Sequence, residues 1–147
     1  MHLVGNDINS NNSQLINLLK DFDILENTRL YGVLDNKNVH SLFKSVDISL
    51  LLSSFGEGFP NVIAESMLYG TIPITTDVGD SSVIVSNLGT ILPKDTNHKD
   101  IAREINDFLM IKSNNQNKWI EMKQKCELIT SSRFTLLETA KKFESLL

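Results

Sequence analysis

The stretch that decides the reading of this chain is Ser53–Gly79, SSFGEGFPNVIAESMLYGTIPITTDVG. It follows Ile48–Leu52, a run of aliphatics broken by one serine, which predicts a strand buried on both faces, as parallel sheets require. The loop Phe55–Pro60 then lies at that strand's carboxyl end, where open α/β sheets bind ligands. Gly56 and Gly58 let backbone come close to a ligand. Pro60 suits the first position of a helix over 61–69, stopped by Gly70. The amides of Asn61 and Val62 are then unpaired donors at a helix start, which attracts phosphate oxygens. Glu57 lies in the loop and Glu65 about one turn into the helix. A carboxylate accepts two hydrogen bonds at once and so matches a vicinal diol on a ribose or hexose. Thr71–Thr76 predicts the next strand, with Pro73 near its start.

Outward from this segment, strands and helices alternate. Met1–Val4 and Thr28–Tyr31 predict two strands on the amino-terminal side. Between them Leu15, Leu18, Leu19 and Phe22 mark one face of a helix opened by Asn9–Ser13. Val39, Leu42, Phe43 and Val46 mark another, starting near Asp35 or Asn36. On the carboxyl side come a short helix at 81–85 and a strand at Thr90–Leu92. Three helices follow, with apolar faces Ile101/Ile105/Phe108/Leu109, Trp119/Met122/Cys126/Ile129 and Leu136/Ala140/Phe143/Leu147. The pattern implies an α/β fold: a Rossmann-like, three-layer, doubly wound parallel sheet.

Composition excludes several classes of function. The 147 residues are one domain's worth, 41% hydrophobic and 22% charged with net charge −4 and no basic block, so nucleic acid is not an expected partner. One cysteine, Cys126, permits no internal disulfide, and His2, His40 and His98 are too scattered for a metal motif. No metal and no cofactor are expected. The amino terminus lacks a signal pattern and no apolar run is long enough for a transmembrane segment. A cytoplasmic location is expected.

Glu57, seven intervening residues and Glu65, set in EGFPNVIAESMLYG, resemble the E-x7-E motif of family 4 (group 1) retaining glycosyltransferases of GT-B fold. TDVGD, Thr76–Asp80, is similar to the turn that follows the next strand in that family. The resemblance covers nearly the whole chain, as the family's C-terminal, nucleotide-sugar-binding domain. It implies that Glu65 holds the ribose and Glu57 the donor sugar. Backbone from Gly58 through Phe59, Pro60 and Asn61 to Val62 would hold sugar and diphosphate, and Tyr31, Gly32 and Val33 would flank the base. It also implies retention of anomeric configuration by front-face displacement, without metal, and the TDVGDS variant leans toward surface-polysaccharide synthesis. Read from the residues alone, the two glutamates also suit a helix dipole or a paired-carboxylate hydrolase, and Tyr31–Val33 also suits a plain strand end.

Two departures from the family pattern stand out. Val83 occupies the place of a family glutamate. The family's first strand and helix, with an Arg and a Lys that neutralise the diphosphate, have no counterpart, nor has the N-terminal acceptor-binding half. The expectation is therefore an N-terminally incomplete domain, 1–147, supplying the donor-binding half of an enzyme. Its partners would be a nucleotide-sugar and either the missing half or a companion chain, through which it would reach the inner face of the membrane. The alternatives are a non-catalytic or partner-dependent fragment, and a sugar-nucleotide epimerase of the same fold.

Overall fold

The computed structural model describes residues 1–134. The helix expected around Leu136, Ala140, Phe143 and Leu147 lies outside the described residues. The chain divides into two compact units, Met1–Ser41 and Leu42–Leu147.

In the first unit, β1 (His2–Leu3) pairs in parallel with β2 (Arg29–Leu30), His2 opposite Arg29 and Leu3 opposite Leu30. The connecting helix α1 (Ser13–Asp21) begins where the Asn12 side chain accepts the Leu15 amide at 3.1 Å. The helix ends in a left-handed residue, Asp23, whose amide bonds to Lys20 O, while Ile24 bonds back to Leu19 O. The apolar face is narrower than its sequence pattern. Leu19 is buried, but Leu18 and Phe22 are exposed (53% and 69%). Two strands of two residues each are too short to cover a broad helix stripe. Next, α2 (Asn36–Phe43) starts with the Asp35 carboxylate accepting the Asn38 amide at 2.8 Å.

The second unit is built on three parallel strands in the order β3 (Ile48–Leu51), β4 (Ile72–Thr76), β5 (Thr90–Leu92). β4 is central and buried along its length. β3 is not buried on both faces as its sequence predicts, since Leu50 is 45% exposed. It is an edge of its ladder, and no described strand joins the two ladders. The parallel α/β architecture is therefore as expected, but it is divided between two ladders. α3 (Asn61–Met67), α4 (Ser81–Val85), α5 (His98–Asn114) and α6 (Gln116–Arg133) surround the second ladder.

Ile63, Ala64 and Met67 of α3 meet Ile72 and Ile74 of β4, Ile84 and Val85 of α4, Phe108 of α5 and Trp119 and Cys126 of α6 in one core. Each such large side chain contributes about 1.5–3 kcal/mol when fully buried. Leu109, expected on the buried face of α5, is 43% exposed. The face that packs inward is Ile101, Ile105 and Phe108, and Leu109 lies about 100° round the helix from Phe108. At the start of β3, Asp47 is gripped by Lys112 of α5 (2.7 Å) and Lys123 of α6 (3.4 Å).

Candidate functional site

Two loops meet at the carboxyl ends of β3 and β4. One is the segment Leu52–Pro60 and the other the turn Asp77–Asp80. They are fastened backbone to backbone. The Asp80 amide donates to Gly58 O at 2.9 Å. Gly79 has φ +58, and a Cβ there would overlap the carbonyl oxygens of Glu57 and Gly58. Only glycine permits both that conformation and that approach. From β4, the Thr75 hydroxyl donates to Leu51 O (3.0 Å) and the Thr76 hydroxyl to Ser53 O. The threonines of ITT thus hold the start of the loop from beneath.

Glu57 is half-buried in this loop, and the Ser53 hydroxyl donates to its Oε1 at 2.7 Å. Gly56 has φ +86. At Gly58 no such constraint operates, because a Cβ there would meet no described atom within 4 Å. Phe59 is partly exposed, its ring set edge-on against Phe134 with centroids 5.6 Å apart. Arg133 bonds to Val83 O (2.8 Å) and lies over the Phe134 ring. The end of α6 thereby reaches both the loop and α4.

Pro60 is buried and caps α3 rather than opening it, with φ −73 and ψ 83, so Asn61 is the first helical residue. The shift by one position leaves Pro60 O to accept the Ile63 amide at 3.0 Å. The Asn61 and Val62 amides ahead of it have no acceptor among the described residues. Asn61 and Val62 are both exposed. Glu65 is half-buried on α3, and its buried neighbour Ser66 bonds to Ser49 of β3 (2.8 Å).

Tyr31, Gly32 and Val33 belong to the first unit and form a turn there. Gly32 exchanges backbone bonds with Ile8 (2.7 Å) and Gly5 (2.9 Å), and the Tyr31 hydroxyl meets His2 Nδ1 at 2.9 Å. Burial, the terminal ammonium and Arg29 all lower the pKa of His2. Val33 is 73% exposed.

Ser53, Thr75, Thr76 and Gly79 are residues whose part in this site the sequence reading passed over. Thr76 and Gly79 carry a signal, their place in TDVGD. Ser53 and Thr75 look like ordinary strand residues until pairing brings β4 beside β3. Among the described residues no group of three or more His, Cys, Asp or Glu is placed to hold a metal, and no helix is long and apolar enough to cross a membrane.

The family described as glycosyl transferases, group 1, matches residues 1–126. No curated protein matches the chain. Among solved structures, a sucrose-phosphate synthase from Thermosynechococcus elongatus superposes with TM-score 0.76 at 18% identity, over 99% of this chain and 38% of its own. HepE of Anabaena in complex with UDP-glucose superposes with TM-score 0.77 at 19% identity, over 98% of this chain and 40% of its own. HepE in complex with UDP and glucose gives 0.75 and 18%, over 99% and 40%. The likeness at these identities is one of fold, and this chain spans about two fifths of the length of those proteins.

Proposed function

Because the chain belongs to the group 1 glycosyl transferases, we propose that it is the C-terminal, donor-binding half of a retaining GT-B glycosyltransferase that takes its sugar from a nucleotide-sugar. The observation that carries this reading is the pinned pair of loops. Gly79 and Asp80 hold the backbone of Glu57 and Gly58 at the carboxyl ends of β3 and β4, directly ahead of the amides of Asn61 and Val62, which have no acceptor among the described residues. Glu57 meets the donor sugar and Glu65 the ribose. Backbone from Gly58 through Phe59 and Pro60 to Val62 lines sugar and diphosphate. HepE's complex with UDP-glucose supports a donor of that class.

In the reaction, an acceptor hydroxyl attacks the anomeric carbon on the face from which the nucleoside diphosphate leaves. Attack and departure on one face retain the configuration, and the departing phosphate oxygen takes the acceptor's proton. The chain's task is to orient the sugar and to steady the charge that grows on the leaving group. Partial positive charge at a helix start is worth about 0.3–1 kcal/mol, whereas a charge-assisted bond from a cation is worth about 1.5–3 kcal/mol. Amides at a helix start therefore steady that charge less than a cation does. An acceptor held in place contributes roughly 7–11 kcal/mol in favourable cases. In this reading an N-terminal half or a companion polypeptide supplies the acceptor site. The setting proposed is cytoplasmic surface-polysaccharide synthesis, without a metal.

Calorimetric titration with UDP-glucose and UDP tests the site. Glu65→Ala is expected to weaken both ligands by roughly tenfold or more, since the ribose is common to them. Glu57→Ala is expected to erase the preference for the nucleotide-sugar while leaving UDP binding nearly intact, and EDTA is expected to change nothing. Small and equal effects from both substitutions would return the glutamates to a helix-dipole role, and loss of binding in EDTA restored by manganese would overturn the metal-free reading. Donor consumption is expected only when the upstream half is added.

A further inference from the structure

The Glu57 carboxylate sits on a loop, and nothing in an EGF sequence says how its rotamer is held. The structure supplies a chain of support that starts on the buried central strand. The Thr76 hydroxyl donates to Ser53 O, which fixes the residue where β3 gives way to the loop. The Ser53 hydroxyl then donates to Glu57 Oε1 at 2.7 Å. From the other side, Gly79 packs against the Glu57 and Gly58 carbonyls, and the Asp80 amide bonds to Gly58 O. Both the backbone and the side chain of Glu57 are thus tied to β4 and the turn after it.

We propose that Ser53 is a positioning residue for Glu57. Its hydroxyl occupies Oε1 and so presents Oε2 to one hydroxyl of the donor sugar. This rests on the donor-site reading above and sharpens it. Glu57 grips the sugar through one oxygen held in a set direction, rather than through a freely rotating carboxylate spread over a diol. A carboxylate restrained before the ligand arrives loses less rotamer freedom on binding, and that favours the sugar-bearing ligand alone. Thr76 acts one step further back, by fixing Ser53.

The test is a double-mutant cycle in the full chain, read as the affinity ratio of nucleotide-sugar to its own nucleoside diphosphate. The probes are UDP-glucose with UDP, GDP-mannose with GDP, and ADP-glucose with ADP. Ser53→Ala is expected to lower that ratio by about tenfold, the scale of one hydrogen bond to a charged group, and to leave nucleoside diphosphate affinity unchanged. In a Glu57→Ala background, Ser53→Ala is expected to do nothing further. Ser53→Thr, which keeps the hydroxyl, is expected to recover most of the ratio. A merely structural role for Ser53 would weaken both ligands together and would persist without Glu57; either result overturns the proposal. A ratio that Glu57→Ala abolishes but Ser53→Ala leaves intact removes the proposal alone. A wild-type chain that prefers none of the nucleotide-sugars removes the donor-site reading and the proposal with it.

Discussion

At the scale of single residues, the site depends on contacts too close for most side chains. Gly79 is the sharpest case. A methyl group there would strike two carbonyl oxygens, and φ +58 would strain it as well. Gly79→Ala is expected to push the Glu57–Gly58 backbone away from the turn. A destabilisation of about 1–3 kcal/mol is expected, of the order given for residues held in sparsely populated backbone regions. The core beneath is untouched, so the expected signature is a lower midpoint in urea with an unchanged slope, together with weakened nucleotide-sugar binding. Wild-type stability and binding in that variant would contradict the pinned-loop account. Glu57, Gly58 and Glu65 stand out in the sequence as candidates because their spacing and company are distinctive. The contacts of Ser53 and Thr76 do not, because a serine–glutamate bond four residues apart and a threonine–carbonyl bond 23 residues apart leave no local pattern.

At the scale of elements, α5 and α6 are fastened to the head of β3 through one carboxylate. Partial burial pushes the Asp47 carboxyl up. The hydrogen bond from Lys112 and the charges of Lys123 and Lys112 outweigh it and hold Asp47 below its ordinary value. A group depressed in the folded state contributes stability that is fully present above its unfolded value, about 3.9, and is lost as pH falls through the folded one. Asp47→Asn is therefore expected to be less stable than wild type at neutral pH by an amount that stays constant down to about pH 4 and then shrinks. Urea unfolding at pH 7, 5, 4 and 3 measures it, and a gap that does not close in acid would show that the two lysines do not stabilise the charged form. The pair partners lie 65 and 76 residues from Asp47, so sequence periodicity could place the helices but not this clasp. The same limit explains β3. An aliphatic run reads as fully buried, but an edge position in the ladder leaves Leu50 partly in water.

At the scale of the whole molecule, the two units differ in how much apolar surface each hides. In Met1–Ser41, Leu19 is the buried hydrophobic side chain, whereas Leu42–Leu147 holds a continuous core from Ile63 to Cys126. Since local opening follows buried contact, amides of β1 and β2 are expected to exchange with solvent well before those of β4. Native-state hydrogen exchange read by mass spectrometry checks this. Equal protection in Leu3, Tyr31 and Ile74 would mean that the chain opens as one cooperative body. Within the larger core, Cys126 donates to Leu88 O at 3.2 Å, and burial pushes its thiol up to about 11, so it is a packing residue rather than a nucleophile.

By itself the sequence determined the order of strands and helices and the parallel α/β class, and it marked out the segment that carries the candidate site. These are written in short-range pattern: the period of apolar positions, glycine and proline at element ends, and glutamates at a set spacing around a helix start. Only the tertiary structure decided that the strands form two ladders, that β3 is an edge, that Pro60 caps α3, and that the turn at Gly79 locks the loop carrying Glu57. Those outcomes depend on which distant backbones come within hydrogen-bonding reach, and that is set by the packing of the whole core rather than by any window of neighbouring residues.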